Sequence, residues 1–191
     1  MKKFFLVFAL VAILGTGTAF AEHPDGFGIG VFGSYGIGFN DYYGNGMGIG
    51  LSLVIPKLPI YWGVNLRGGG GWFGTGGWFG FGITGDYYII DMDFLPFMGW
   101  HFGLGGFFNF SSWKYDWYSR ADLSFGIRVP IALHFHPLEW MDIWVGIAPS
   151  FGLQINGRNK WKNNYIGTKN DGNRLGFAGW IPLEIGIRFW L

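Results

Sequence analysis

The chain has 191 residues, 50% of them hydrophobic and 21% aromatic, with 13% charged and a formal net charge of +1. An ordinary soluble domain carries about 25% charged residues, and so even a balance gives no bulk-charge support for a nucleic-acid partner. Cysteine is absent, which excludes disulfides, thiol-based metal or catalytic chemistry and a lipid anchor on a cysteine.

The first residues read as a secretory leader: Lys2 and Lys3 supply the positive start, Phe4 to Leu14 the apolar stretch, and Ala19-Phe20-Ala21 the small-x-small cleavage site. The apolar stretch is shorter than the ~20 residues a spanning helix needs. The expected organisation is therefore a leader over 1–21 and a single domain over 22–191. Without Lys2 and Lys3 the 13 basic residues no longer outnumber the 12 acidic ones, and the net charge turns negative.

From Gly26 onward the rhythm is period two, that of strands with two unlike faces. The 36 glycines also oppose helices, at roughly 1 kcal/mol for each interior position relative to alanine. The first segment sets Phe27, Ile29, Val31, Tyr35, Ile37 and Phe39 against Gly28, Gly30, Phe32, Ser34, Gly36 and Gly38. The second sets Met47, Ile49, Leu51, Leu53 and Ile55 against Gly48, Gly50 and Ser52. A third presents Ile60, Trp62, Val64 and Leu66 opposite Tyr61, Gly63, Asn65 and Arg67. The fourth, Trp78 to Ile89, opposes Phe79, Phe81, Ile83 and Tyr87 to Gly80, Gly82, Thr84 and Asp86. In the fifth, Phe97 to Phe110, the apolar face faces away from His101, Gly103, Gly105 and Asn109. The sixth sets Leu123 to Phe135 at alternate positions against Asp122, Arg128, His134 and His136. The seventh opposes Ile143, Val145, Ile147, Phe151, Leu153 and Ile155 to Gly146, Ser150, Gly152 and Gln154. The eighth opposes Leu175 through Leu191 to Trp180, Glu184, Gly186 and Arg188.

In this register no ionised side chain falls on an apolar face. The other faces carry Arg67, Arg128 and Arg188 with Asp86, Asp122 and Glu184, three of each sign. A charge facing lipid at mid-bilayer costs about 2–4 kcal/mol, and an unpaired buried ion costs several. The expected arrangement is an all-β, closed, antiparallel up-and-down transmembrane barrel of eight strands, with those six residues forming an ion-pair network in its lumen. Closure follows because no open sheet edge can stand in hydrocarbon, and at about eight strands side chains fill the interior. Short turns at Pro56–Pro59, Asp91–Pro96 and Pro137–Asp142 would lie on the periplasmic side, with residues 41–46, 68–77, 111–120 and 157–173 as external loops. Tyr42, Tyr43, Trp62, Tyr87, Tyr88, Trp140, Trp144 and Trp190 lie near expected strand ends, where aromatic girdles form.

The chain ends Glu184-Ile185-Gly186-Ile187-Arg188-Phe189-Trp190-Leu191. This is similar to the C-terminal insertion signal of outer-membrane barrels, with Glu184, Gly186, Phe189 and Leu191 in the four defining slots and Leu191 where phenylalanine or tryptophan is usual. Over 26–191 the chain resembles the small eight-stranded barrels related to the OmpA membrane domain, OmpX and OmpW. The resemblance implies integral residence in a bacterial outer membrane, with its lipids and, during insertion, the barrel-assembly machinery as partners. It implies surface or structural roles for the first two types and a route for small hydrophobic molecules for the OmpW type.

Other motifs carry less. Gly28-x-Gly30-x-x-Gly33 matches a dinucleotide fingerprint, but no βαβ pattern surrounds it. His134-x-His136 places two imidazoles on one strand face without an identifiable third ligand, so no metal site is expected. Asp91-x-Asp93 is assigned to turn chemistry. No nucleophile, base and acid share a motif, so neither catalysis nor a cofactor is expected. Arg158, Lys160, Trp161, Lys162 and Lys169 form a basic, aromatic-interleaved loop able to meet an anionic surface ligand. The leading expectation is a structural or surface-display barrel, and the alternative is a narrow channel for small hydrophobic or polar solutes. A helical membrane protein competes through the charge-poor stretch Phe94 to Trp113, which nevertheless alternates and contains Pro96.

Overall fold

The computed structural model describes residues 26–39, 46–70, 77–115, 118–156, 160–161 and 174–191. Its strands are β1 (Gly28–Gly38), β2 (Gly46–Val54), β3 (Tyr61–Gly70), β4 (Gly77–Leu95), β5 (Met98–Tyr115), β6 (Tyr118–Arg128), β7 (Ile131–Leu138), β8 (Met141–Ile147), β9 (Ser150–Asn156), β10 (Lys160–Trp161) and β11 (Arg174–Trp190). All pairings are antiparallel. β6 with β7, and β8 with β9, are halves of single wall strands, which makes a ring of eight closed by β1 on β11 from Gly28↔Trp190 to Gly38↔Trp180. The segment Phe94 to Trp113, considered above as a helix, is the end of β4, a tight turn and most of β5.

Prolines explain the two breaks. Val129-Pro130 and Ala148-Pro149 interrupt their strands because proline cannot donate to the ladder. The proline carbonyls still accept: Gly103 N–H donates to Pro130 O, Val129 N–H to Pro149 O and Ala148 N–H to Pro182 O, at 2.9, 2.9 and 3.0 Å. The wall therefore stays sealed across both breaks.

Burial is inverted relative to a soluble protein. Ile49 is 66% and Ile185 59% exposed on the outer face, whereas the largest fully buried side chains are His134, Gln154, Asp122, Ser124 and Ser150. Such an apolar outside and polar inside suits hydrocarbon around the ring.

Several expected boundaries change, and the turn expected at Pro137–Asp142 shortens because β7 runs to Leu138 and β8 starts at Met141. β4 runs to Leu95, six residues beyond the expected end, with Asp91 and Asp93 inside the strand instead of a turn. The chain reverses at Pro96-Phe97. Likewise β5 and β6 consume most of the expected loop 111–120, since they extend to Tyr115 and start again at Tyr118. A β-bulge between Tyr88 and Ile90 explains the extension of β4. The extra residue, Ile89, shifts the alternation by one, so that Asp86 and Tyr88 point inward before it and Asp91 and Asp93 point inward after it.

Candidate functional site in the lumen

The centre of the lumen is organised by Arg128, the last residue of β6. Its Nη2 donates to Glu184 Oε2 at 2.8 Å, and its Nε lies 3.0 Å from Asp86 Oδ1, a charge contact without hydrogen-bond alignment. β5 stands between β6 and β4, and Gly105 is the residue paired with both Arg128 and Asp86. A side chain at Gly105 would collide with the Asp86 carboxylate, so glycine here lets the two charges meet across an intervening strand.

Nearer the chain termini, Arg188 occupies a second built site. Its Nε and Nη2 donate to Ser52 Oγ at 3.2 and 2.9 Å, and Nη1 donates to Asp142 Oδ2 at 3.2 Å. The guanidinium lies 4.6 Å from the ring centroids of both Tyr61 and Trp144 and 5.6 Å from that of Trp190. Cation–π attraction of this kind gains strength when water is excluded. Asp142 was assigned to a turn, and Trp144 and Trp190 to the outer girdles. Trp144 and Trp190 are buried inside at 7% exposure each, and Tyr88 also faces the lumen. The signal that could have found Asp142 and Trp144 is parity, because both share the face of Gly146. Trp62, Tyr87 and Trp140 do lie on the exposed face, while Tyr42 and Tyr43 lie outside the described residues.

At the mouth beside the Pro96-Phe97 turn, the bulge in β4 brings two carboxylates to the histidines. His134 Nε2 lies 3.3 Å from Asp93 Oδ1 and 3.6 Å from Asp91 Oδ1, and His136 Nε2 lies 3.7 Å from Asp93 Oδ1. His136 Nδ1 is 3.9 Å from Asp142 Oδ1, which links this group to the Arg188 site. A ladder of rings runs alongside: Tyr61 stacks on Tyr88 at 4.2 Å, Tyr88 on His101 at 3.9 Å, and His101 meets His134 edge-on at 5.6 Å. Ligand-type donor atoms converge in two sets, Asp91-His101-His134 and Asp93-His134-His136, each within 4.8 Å. The third ligand that the sequence did not identify is thus supplied from β4.

Toward the loop end, Phe107, Ala178 and Trp180 pack together, and Arg67 lies over the Trp180 ring at 5.5 Å. Asp122 is buried on β6, opposite Asn156 of β9. Asp86, Arg128 and Glu184 are in direct contact, and Arg188 is joined to Asp142, a residue outside the expected six. Of the C-terminal residues, Glu184 faces Arg128, Gly186 lies beneath Trp144 and Phe32, and Phe189 and Leu191 point outward. Lys160 and Trp161 form the short β10 on Ser119 and Tyr118, whereas Arg158, Lys162 and Lys169 lie outside the described residues.

No protein-family model matches the chain, and no curated protein matches it. Among solved structures, it is similar to Neisserial surface protein A, with a TM-score of 0.54 and 14% identity over 86% of this chain and 97% of that one. The fold is that of a small outer-membrane β-barrel. Looser likenesses are to the N-terminal β-barrel domain of Pseudomonas aeruginosa OprF, at TM-score 0.44, 7% identity and 85% and 97% coverage, and to the attachment invasion locus protein Ail of Yersinia pestis, at 0.41, 14% and 86% and 99%.

Proposed function

We propose that this membrane β-barrel is a closed structural scaffold that holds its loops at the cell surface and does no chemistry. The observation that carries this reading is the occupied lumen. Arg128 with Asp86 and Glu184, Arg188 with its aromatic cage, and the Phe32-Trp144 and Phe107-Trp180 pairs all project into it. The inward glycines leave little free space. A Cβ at Gly50 would sit 2.5 Å from the Phe32 ring, and one at Gly82 would strike Asn65 and Asn109.

In this reading the leader over 1–21 is removed on export, the barrel-assembly machinery engages the C-terminal signal, and outer-membrane lipids surround the belt. The loop bearing Arg158, Lys160, Trp161, Lys162 and Lys169 keeps the outer mouth hydrophilic. Purified protein in planar bilayers should give no current. Defined conductance steps that disappear on Gly50→Phe or Gly82→Phe would establish the channel instead. An anionic surface ligand would be indicated if neutralising Lys160 and Lys162 lowered retention on heparin or anionic vesicles.

A further inference from the structure

We propose that the mouth beside the Pro96-Phe97 turn is a site for one divalent transition-metal ion of the zinc class, held by Asp93, His134 and His136. Zinc bonds to histidine nitrogen and carboxylate oxygen are about 2.0–2.2 Å long, so neighbouring donors in a tetrahedral shell stand roughly 3.4 Å apart. Asp93 Oδ1 is 3.3 Å from His134 Nε2 and 3.7 Å from His136 Nε2, close to that spacing. His134 is 1% exposed, yet its Nε2 makes no hydrogen bond among the described residues and points at the two β4 carboxylates. A buried polar atom aimed at other donors is the arrangement that an ion between them would satisfy.

The backbone leaves room for this. Asp93 and His134 belong to strands separated by β5, and both pair with Gly99. A side chain at Gly99 would occupy the space between His134 Nε2 and Asp93 Oδ1. Access exists as well, because Asp93 is 43% exposed by side chain and His136 24%, whereas His134 closes the inner side. The alternative set with Asp91 and His101 needs the same His134 and lies deeper, so only one of the two sets can hold an ion, and the more accessible one is proposed. Asp91 then adds negative charge behind the ion. Imidazole and carboxylate together suit zinc, copper or nickel more than magnesium or calcium, which prefer all-oxygen shells. This inference is independent of whether the barrel conducts.

The test uses the full barrel without an oligohistidine tag, folded in detergent and stripped with chelator, titrated with Zn²⁺ by calorimetry. One equivalent should bind, unaffected by millimolar Mg²⁺. His136→Gln, Asp93→Asn and His134→Ala should each weaken binding at least tenfold. Gly99→Ala, which leaves every ligand in place, should do the same by filling the gap. His101→Ala should stay within threefold of the parent, as should His23→Ala at the remaining one of the chain's 4 histidines. Heat-modifiable gel migration verifies folding of each variant, and the exposed Asp93 and half-buried His136 keep the test decisive if His134→Ala fails to fold. Absence of a saturable Zn²⁺ site in the parent would overturn the proposal. So would unchanged binding in His136→Gln with Asp93→Asn, or a loss in His101→Ala as large as that in His136→Gln.

Discussion

Arg128 bridges the buried Asp86 and the part-buried Glu184, so its removal leaves the two carboxylates to repel each other in a confined space. Breaking a buried ion pair from one side typically costs about 3–5 kcal/mol, whereas replacing every member by neutral groups is often close to harmless. Arg128→Met should therefore lower the unfolding free energy by about 3–5 kcal/mol, read from urea titration in lipid vesicles. Adding Asp86→Asn and Glu184→Gln should restore more than half of it. If the triple variant is no better than Arg128→Met, the charges are not what that side chain stabilises. Gly186 offers a second residue-scale test, since an added methyl would meet the Trp144 ring and lie 2.8 Å from Phe32 Cβ. Gly186→Ala should cost about 1–3 kcal/mol by overpacking, in protein that has already inserted, which separates packing from any role in insertion. The inward direction of Asp86, Arg128, Glu184 and Arg188 was legible from alternation alone. Their partners were not, because a pairing across 56 residues, as between Arg128 and Glu184, leaves no trace in local periodicity. Asp142 escaped the alternation because it closes the stretch Pro137–Asp142, where turn chemistry and inward parity compete for the same residue.

Strand number and order follow from the hydrophobic rhythm, and the eight alternating segments correspond to the eight staves of the ring. Their ends were harder to place, and β4 shows why. Alternation fails at Tyr88-Ile89-Ile90, so periodicity alone stops there; only the pairing of Ile90 with Phe102 and Asp91 with His101 reveals that it resumes with opposite parity. Because Ile89 is the extra residue, its deletion should leave Asp91 and Asp93 inward and the folded gel migration intact. Deleting Met92 instead should turn Asp93 toward lipid and reduce the folded fraction, since a one-residue slip exchanges the faces. Equal folding of the two deletions would remove the bulge from the explanation. The turn between β2 and β3 carries its own strain. Leu58 N–H donates to Ile55 O at 3.1 Å, and Lys57 holds a φ of 68°. A left-handed backbone costs an L-residue about 1–2 kcal/mol, and glycine gives back part of that through its freer unfolded chain. Lys57→Gly should therefore raise the unfolding free energy by up to about 1 kcal/mol, while Lys57→Val should lower it. Pro56 in the position before it was visible in the sequence; the positive φ was not, because lysine gives no such signal.

For the whole molecule, the side chains that project into the lumen stand in series. Tyr61, Trp190 and Val54 pack at strand ends beside the termini; Phe32 and Trp144 follow, linked to them through Arg188. Arg128 with its carboxylates bridges β6, β4 and β11, and Phe107 with Trp180 stands toward the loops, where Trp180 pairs with Gly38 at the end of β1. Barriers in series are not relieved by opening one of them. Truncating Phe32 and Trp144 together should thus leave planar bilayers silent, even though large-to-alanine changes of this kind cost about 3–5 kcal/mol apiece. Current should emerge only when Arg128, Asp86 and Glu184 are also reduced to alanine, and it should be smaller while Trp180 remains. Conductance steps from Phe32→Ala alone would mean that the interior is held shut at one level. That level would then act as a gate, and the scaffold reading would give way to a channel closed at Phe32.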